Sequence, residues 1–287
     1  MRIYIPSTSR SDVRNVKALM AKAREMGHDL AFSAGSGSDS AIILGDRSEM
    51  LTEARRIIEA QMPYVHVGAG CVTLGSWDTI VRDMLTAGGD AFWAYTSFGH
   101  WTAMGGGKSP KSGFGVPILD TLSRATDPRN DTVLVAINPV TAPRNSVEHI
   151  NIANEIVGAC SQLGLKVAWS HANKDWPGVA LNAHMQKVWP GQSLRDWGFE
   201  FGGILSTCRC IVGNSSAALM EAPMIGCPFV DCGTRQQGRP LAMGVRGVLD
   251  IAAAIENAKP HEGPSPYQHP ERDACGEIIR LAEGVAE

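Results

Sequence analysis

Cys210-Ile211-Val212-Gly213-Asn214-Ser215-Ser216-Ala217-Ala218-Leu219-Met220-Glu221-Ala222-Pro223 joins a short apolar run, a turn of small residues and the start of a helix. A strand that is apolar on both faces belongs in a parallel sheet covered by helices on each side. The same kind of run recurs along the chain, at 2–6, 41–44, 64–67, 91–94, 133–137, 166–169 and 228–230. Helical periodicity fills the gaps, over 13–26, 47–61, 79–87, 147–163, 216–224 and, in the tail, 273–286. Alternation of this sort predicts an α/β fold, built as two doubly wound halves with parallel sheets. The expected domains are 1–125, 126–270 and a C-terminal helix over 271–287 that can cross back onto the first domain. A Gly-rich stretch, Gly105-Gly106-Gly107-Lys108-Ser109, lies near the break. It lacks the glycine spacing of a phosphate loop and reads as a connection.

The 287 residues are 44% hydrophobic and 19% charged, so they can bury a core. Lys and Arg number 26 against 29 Asp and Glu, a formal charge of −3, which argues against a dedicated nucleic-acid binder. No apolar run approaches the ~18 residues of a membrane span, and Met1–Pro6 has no signal-peptide core, so a cytoplasmic protein is expected. The seven Cys, an odd number, stand mostly in apolar segments. They read as reduced, buried thiols. Cys208-Arg209-Cys210 has the wrong spacing for zinc, and no metal or other cofactor is expected.

Four places at strand ends could carry chemistry. In the opening stretch, free amides at the helix start together with Ser215 and Ser216 would seat a phosphate. Alternatively, Asn214 or Ser215 is only an N-cap. Glu221, a turn and a half further on, either accepts from ribose hydroxyls or is a solvated helix residue. Asp46, in Leu44-Gly45-Asp46, ends a buried strand and is either a ligand group or a cap. After His66 a Gly-rich loop leads to Asp78 and Arg82, four apart on one helix face, which suits catalysis or a surface ion pair. Arg10, after the first strand, suits a phosphate or is solvated. A doubly wound sheet brings such ends to one crevice.

Taken in order, these segments resemble a known family. They are Gly45-Asp46-Arg47-x-Glu49-Met50, His66-x-x-x-Gly70-x-x-Thr73-x-Gly75-x-x-Asp78-x-x-x-Arg82, Gly115-Val116-Pro117-x-Leu119-Asp120, Val212–Ser216 with Glu221-Ala222-Pro223, and Thr234-Arg235-Gln236-Gln237-Gly238-Arg239. The chain is similar to the UDP-N-acetylglucosamine 2-epimerases, nearest the hydrolysing branch that releases ManNAc and UDP. The resemblance implies a GT-B-like fold of two Rossmann-like domains with a UDP-sugar in the cleft, and commonly a homodimer. It implies that Gly213, Asn214, Ser215 and Ser216 hold the diphosphate and that Glu221 binds the ribose. Arg10, His66 and Arg239 would lie at the same ligand, and Asp46, Asp78 and Arg82 would face the sugar. The family reaction removes the C2 proton, expels UDP from C1 and adds water.

Three departures stand out. Cys71 replaces an acidic residue, Asn138 replaces the His of a His-Pro pair, and Asp83 replaces a basic residue. An amide cannot shuttle a proton, and a thiol is a poor substitute for a carboxylate base. Cys71 and Asn138 are nonetheless the catalytic positions by resemblance. Glycosyl transfer from a nucleotide sugar on the same fold, and nucleotide-sugar binding without turnover, are the alternatives. The segment between Arg24 and Ala41 is too short for extra elements, which predicts a trimmed first sheet.

Overall fold

The computed structural model describes residues 1–6, 10–32, 37–46, 49–68, 78–95, 114–140, 147–172, 176–189, 193–195, 197, 200–241, 250–263, 265–269, 271 and 273–287. The chain divides into two compact units. Unit 1 takes Met1–Val72, Trp77–Thr121 and Pro266–Glu287, and unit 2 spans Leu122–Ser265.

Unit 1 opens with β1 (Arg2–Tyr4), α1 (Arg10–Glu25), β2 (Asp29–Ala31), β3 (Ser40–Leu44), α2 (Glu49–Glu59), β4 (Tyr64–Gly68), α3 (Asp78–Gly88) and β5 (Ala91–Ala94). The strands form one parallel sheet in the order β2-β1-β3-β4-β5. Every residue of β3, β4 and β5 is buried, as expected for strands covered on both faces. Helix α2 lays Met50, Ala54 and Ile57 on the sheet, one stripe at helical spacing, where they meet Tyr4, Ile43 and Tyr64. Tyr64 reaches past the core to donate its hydroxyl to the Leu85 carbonyl at 2.6 Å.

Unit 2 runs β6 (Thr132–Ala136), α4 (Glu148–Gln162), β7 (Lys166–Ser170), α5 (Trp176–Val188), β8 (Ser193–Arg195), α6 (Phe201–Thr207), β9 (Cys210–Gly213), α7 (Ser216–Ile225), β10 (Phe229–Asp231) and α8 (Ile251–Asn257). Its sheet is also parallel, ordered β10-β9-β6-β7-β8. Counted from β6, that is the doubly wound order 3-2-1-4-5 of a Rossmann-like sheet. Val133, Val135, Trp169 and Val212 build its core with Ile152 and Ile156 of α4.

The last helix, α9 (Ala274–Gly284), belongs to unit 1 and packs on α1, β3 and β4. Ile278, Ile279 and Ala282 are fully buried there. Its start is tied down at three points. Asp273 accepts from the Gly276 amide at 2.9 Å, Lys22 meets Asp273 at 2.7 Å, and Asp120 accepts from the Cys275 amide at 2.8 Å.

The strands read from the sequence are all present. The expectation of no extra strand between Arg24 and Ala41 is corrected, because Asp29–Ala31 is an edge strand paired to β1. Strand β8 and helices α5, α6 and α8 were also not anticipated. The Gly105–Ser109 run lies outside the described residues.

Candidate active site

In unit 2 the strand order reverses between β6 and β9, and parallel sheets bind ligands outside the carboxyl ends of strands at such a point. The two strands end in register at Ala136 and Gly213. Gly213 has φ 142°, and a Cβ there would overlap the Ala136 carbonyl, so only glycine lets β9 finish this close to β6.

The next residue locks the junction. The Asn214 amide donates to the Ala136 carbonyl at 3.1 Å. Its side chain then brackets the Asn138 backbone, with Oδ1 accepting from the Asn138 amide at 2.7 Å and Nδ2 donating to the Asn138 carbonyl at 2.9 Å. The Asn214 carbonyl accepts from Arg235 Nη1 at 3.0 Å and Gln236 Nε2 at 2.7 Å. Glu148, in the first turn of α4, completes the chain of contacts. Its carboxylate accepts from the Thr234 amide and, at 2.6 Å, from the Thr234 hydroxyl. Asn214 therefore works inside the fold as a clamp, and neither side of the sequence reading (ligand group or helix cap) anticipated that.

Ser215 occupies the N-cap position of α7, yet its side chain makes no cap hydrogen bond. The first amides of α7 thus carry the partial positive charge of a helix start with no side-chain partner supplied at the cap. Ser215 is buried and Ser216 half-buried. Glu221 is 3% exposed and Arg239 8%, so neither is a solvated surface residue. The Arg239 amide donates to the Gln236 carbonyl at 3.1 Å, which ties that arginine to the same loop.

In unit 1 the order reverses between β1 and β3, and Asp46 lies two residues past the end of β3. Its Oδ1 is 3.3 Å from His66 Nε2, and the His66 ring is fully buried in β4. His66 Nε2 donates to the Gly45 carbonyl at 3.0 Å, while Nδ1 lies 2.9 Å from Thr86 Oγ1. The Thr86 hydroxyl is also 2.7 Å from the Arg82 carbonyl, and the imidazole stacks on Phe92 at 5.3 Å. The ring is fixed from three directions. Gly68 closes the arrangement, because a Cβ there would overlap Asp46 Oδ1.

Arg82 is 1% exposed and donates twice to Asp83 Oδ1, from Nε at 3.0 Å and Nη2 at 2.6 Å. The guanidinium is thus buried against the residue that departs from the family pattern, and of the two readings of Arg82 the solvated surface pair does not fit. Asp78 opens α3 and Arg10 opens α1, but their side chains, and Cys71 altogether, lie outside the described residues. Asn138 is half-buried just after β6. Sequence reading gave no role to Gly68, Thr86, Glu148 or Thr234. The Thr234-Arg235-Gln236 run was visible in the sequence, but only Arg239 of that motif was assigned.

Among the described residues, Asp120, Asp273 and Cys275 place ligand atoms within 4.8 Å of one another. Their oxygens already cap α9 and meet Lys22. Burial pushes the Asp120 carboxyl and the Cys275 thiol up, against the ionised forms that a cation requires. No described helix is long and apolar enough to cross a membrane.

A family model described as UDP-N-acetylglucosamine 2-epimerase matches residues 31–261. The chain is 25% identical to a GDP/UDP-N,N'-diacetylbacillosamine 2-epimerase (hydrolyzing) of Campylobacter jejuni, over 81% of this chain and 68% of that protein. It is 26% identical to a UDP-N,N'-diacetylbacillosamine 2-epimerase (hydrolyzing) of Legionella pneumophila, over 77% of this chain and 63% of that protein. The chain thus spans about two thirds of the length of these relatives. Among solved structures it is similar to the Methanocaldococcus jannaschii UDP-GlcNAc 2-epimerase in complex with UDP-GlcNAc and UDP. The TM-score is 0.70 at 11% identity, covering 99% of this chain and all of that one, a likeness of fold.

Proposed function

The chain belongs to the UDP-N-acetylglucosamine 2-epimerase family, and from that premise we propose that it is a hydrolysing 2-epimerase acting on a UDP-N-acetylhexosamine, UDP-GlcNAc in the first instance. The observation that carries this reading is the start of α7, which lacks a side-chain cap and is held at the β6–β9 reversal by Asn214. A diphosphate supplies the negative charge and the acceptors that such a helix start lacks.

In this reading Ser215, Ser216 and the first α7 amides take the diphosphate, with Arg239 and Arg10 adding positive charge. Glu221 accepts from the ribose hydroxyls. Asp46 and Asp78 act on the sugar, one taking the C2 proton as UDP leaves from C1. The resulting unsaturated sugar gains water at C1 and a proton at C2 from the other face, giving the free 2-epimer. Stabilising the departing diphosphate lowers the barrier to C1–O cleavage. His66 lies against Asp46, with Nε2 3.3 Å from its Oδ1. Arg82, bonded to Asp83, is in this reading a third group facing the sugar. Cys71 and Asn138 stand where the family pattern has an acid and a histidine, so the carboxylates carry the proton transfers.

Both curated relatives are described as hydrolysing enzymes of diacetylbacillosamine nucleotides. That supports hydrolysis over glycosyl transfer and makes UDP-N,N'-diacetylbacillosamine the second substrate to try. The reading includes a homodimer in the cytoplasm, which light scattering and cell fractionation test. The deciding experiment follows UDP-GlcNAc by NMR in heavy water. UDP, ManNAc and deuterium at C2 should appear together. Release of UDP with unlabelled GlcNAc would mean simple hydrolysis and overturn the epimerase reading.

A further inference from the structure

Two thiols in unit 2 meet in a place the proposed chemistry does not use. Cys208 is the C-cap residue of α6, and Cys227 follows Gly226, the left-handed C-cap of α7. Their Sγ atoms are 3.5 Å apart, and both side chains are buried.

The backbones carrying them are cross-braced. Arg129 donates from Nη1 to the carbonyls of Leu205 and Cys208, at 2.9 and 2.8 Å, and from Nη2 to the Gly226 carbonyl at 2.7 Å. One guanidinium therefore holds the end of α6 against the end of α7. Bonded sulfurs sit at ~2.05 Å, so closing the gap takes an approach of roughly 1.5 Å. Side-chain rotation at two helix ends can supply that without breaking either sheet strand.

We propose that Cys208 and Cys227 are a redox site, forming an intramolecular disulfide when a small uncharged peroxide reaches them. The Cys208 thiolate attacks one peroxide oxygen, the O–O bond breaks, and hydroxide leaves, taking up the proton that Cys208 released. The resulting Cys208 sulfenic acid is attacked by the Cys227 sulfur. An S–S bond forms, the S–OH bond breaks, and the Cys227 proton leaves with the hydroxyl as water. Two thiols and one hydrogen peroxide thus give one disulfide and two waters.

The roles of the two sulfurs are unequal. A hydrogen bond with Cys227 and the positive charge of Arg129 hold Cys208 below the usual thiol range, against its burial. Its hydrogen bond to Cys208 and its own burial push Cys227 up. Cys208 is accordingly the first nucleophile and Cys227 the resolving thiol. Cys160, Cys210 and Cys232 are also buried, and burial pushes each of them up. Enclosure excludes large disulfide reagents, which is why the oxidant is a peroxide.

The test uses the purified full chain, reduced and then treated with graded hydrogen peroxide. Tryptic digestion without reductant should yield the peptide containing Cys208 joined to the one containing Cys227, lighter than their sum by two hydrogens. Two of the seven thiols should be lost together and return with dithiothreitol. Cys208→Ser and, separately, Cys227→Ser should abolish the cross-link, while Cys210→Ala and Cys232→Ala should leave it. Cys227→Ser should also leave Cys208 oxidised without a partner, read as added oxygen on its tryptic peptide, a readout independent of the cross-link. Oxidation confined to other thiols, or a cross-link that survives Cys208→Ser, overturns the proposal. So does full retention of both thiols at peroxide levels that oxidise methionines of the same chain. The outcome does not depend on whether UDP binds.

Discussion

Asn214 encloses the backbone of Asn138 in a ring of two hydrogen bonds, at 2.7 and 2.9 Å, across 76 residues of sequence. The carbonyl of the same asparagine receives Arg235 and Gln236. A side chain that is 0% exposed therefore sets the shape of the turn that opens α7.

Asn214→Ala should destabilise the protein by about 2–4 kcal/mol, because two bonds are lost and the Asn138 amide is stripped of its partner. Urea denaturation measures this. UDP affinity should fall in the same variant, since the turn no longer has a fixed geometry. Unchanged stability would show that the ring is incidental.

Ser215→Ala combined with Ser216→Ala should weaken UDP binding by ~2–4 kcal/mol, two hydrogen bonds to a charged group being removed. No side-chain cap bond exists to lose, so the melting temperature should hold. Calorimetric titration with UDP and a thermal melt together separate a ligand role from a folding role.

Gly68→Ala should leave UDP affinity intact and cut turnover by about 100-fold. The added methyl displaces the Asp46 carboxylate, and misplacing a reacting group by ~1 Å carries a penalty of that order. Steady-state kinetics beside a UDP titration would show it. A variant with normal kcat would remove Asp46 from the reaction.

Thr86→Val should lower stability by about 1–3 kcal/mol by leaving a buried His66 nitrogen and the Arg82 carbonyl without their shared hydroxyl. Thr86→Ser should restore most of the loss. Chemical denaturation of both variants is the measurement.

Alkaline pH should unfold the chain through Tyr64. Burial pushes its phenol from 10.0 to about 12, and its hydroxyl is held by Leu85. A tyrosine whose folded value is raised contributes stability that is complete below the unfolded value of 10.0 and is lost as pH climbs to about 12. The loss approaches roughly 2–3 kcal/mol across that window. Tyr4 is raised to about 12 as well, by burial first and then by the Glu53 carboxylate it donates to. Tyr64→Phe should flatten part of the pH dependence, and tyrosinate absorbance should rise together with unfolding.

The sequence made the central strands legible because each is an unbroken apolar run with burial on both faces. Asp29–Ala31 and Ser193–Arg195 escaped for the opposite reason. They are three-residue edge strands, partly polar, that complete a sheet by backbone pairing and carry no periodicity of their own. The turn from β9 into α7 was legible as a helix start because Gly, Ser and the first helical residues are neighbours in sequence, and its reading as a phosphate seat is the proposal that the UDP titrations test. The role of Asn214 was not legible, since its partner lies 76 positions away. Arg82 illustrates the limit of helical spacing. Spacing places it on the Asp78 face of α3 but does not reveal that its guanidinium is buried and bonded to the adjacent Asp83.

Helix α9 has a consequence for biosynthesis. Ile278 and Ile279 fill the interior of the first unit, yet they leave the ribosome after every residue of the second. The later unit is thus free to reach its native form first, while the earlier one waits with an open seam for its final segment. Translation that stalls before Asp273 should release chains whose first half exposes apolar surface to chaperones and proteases.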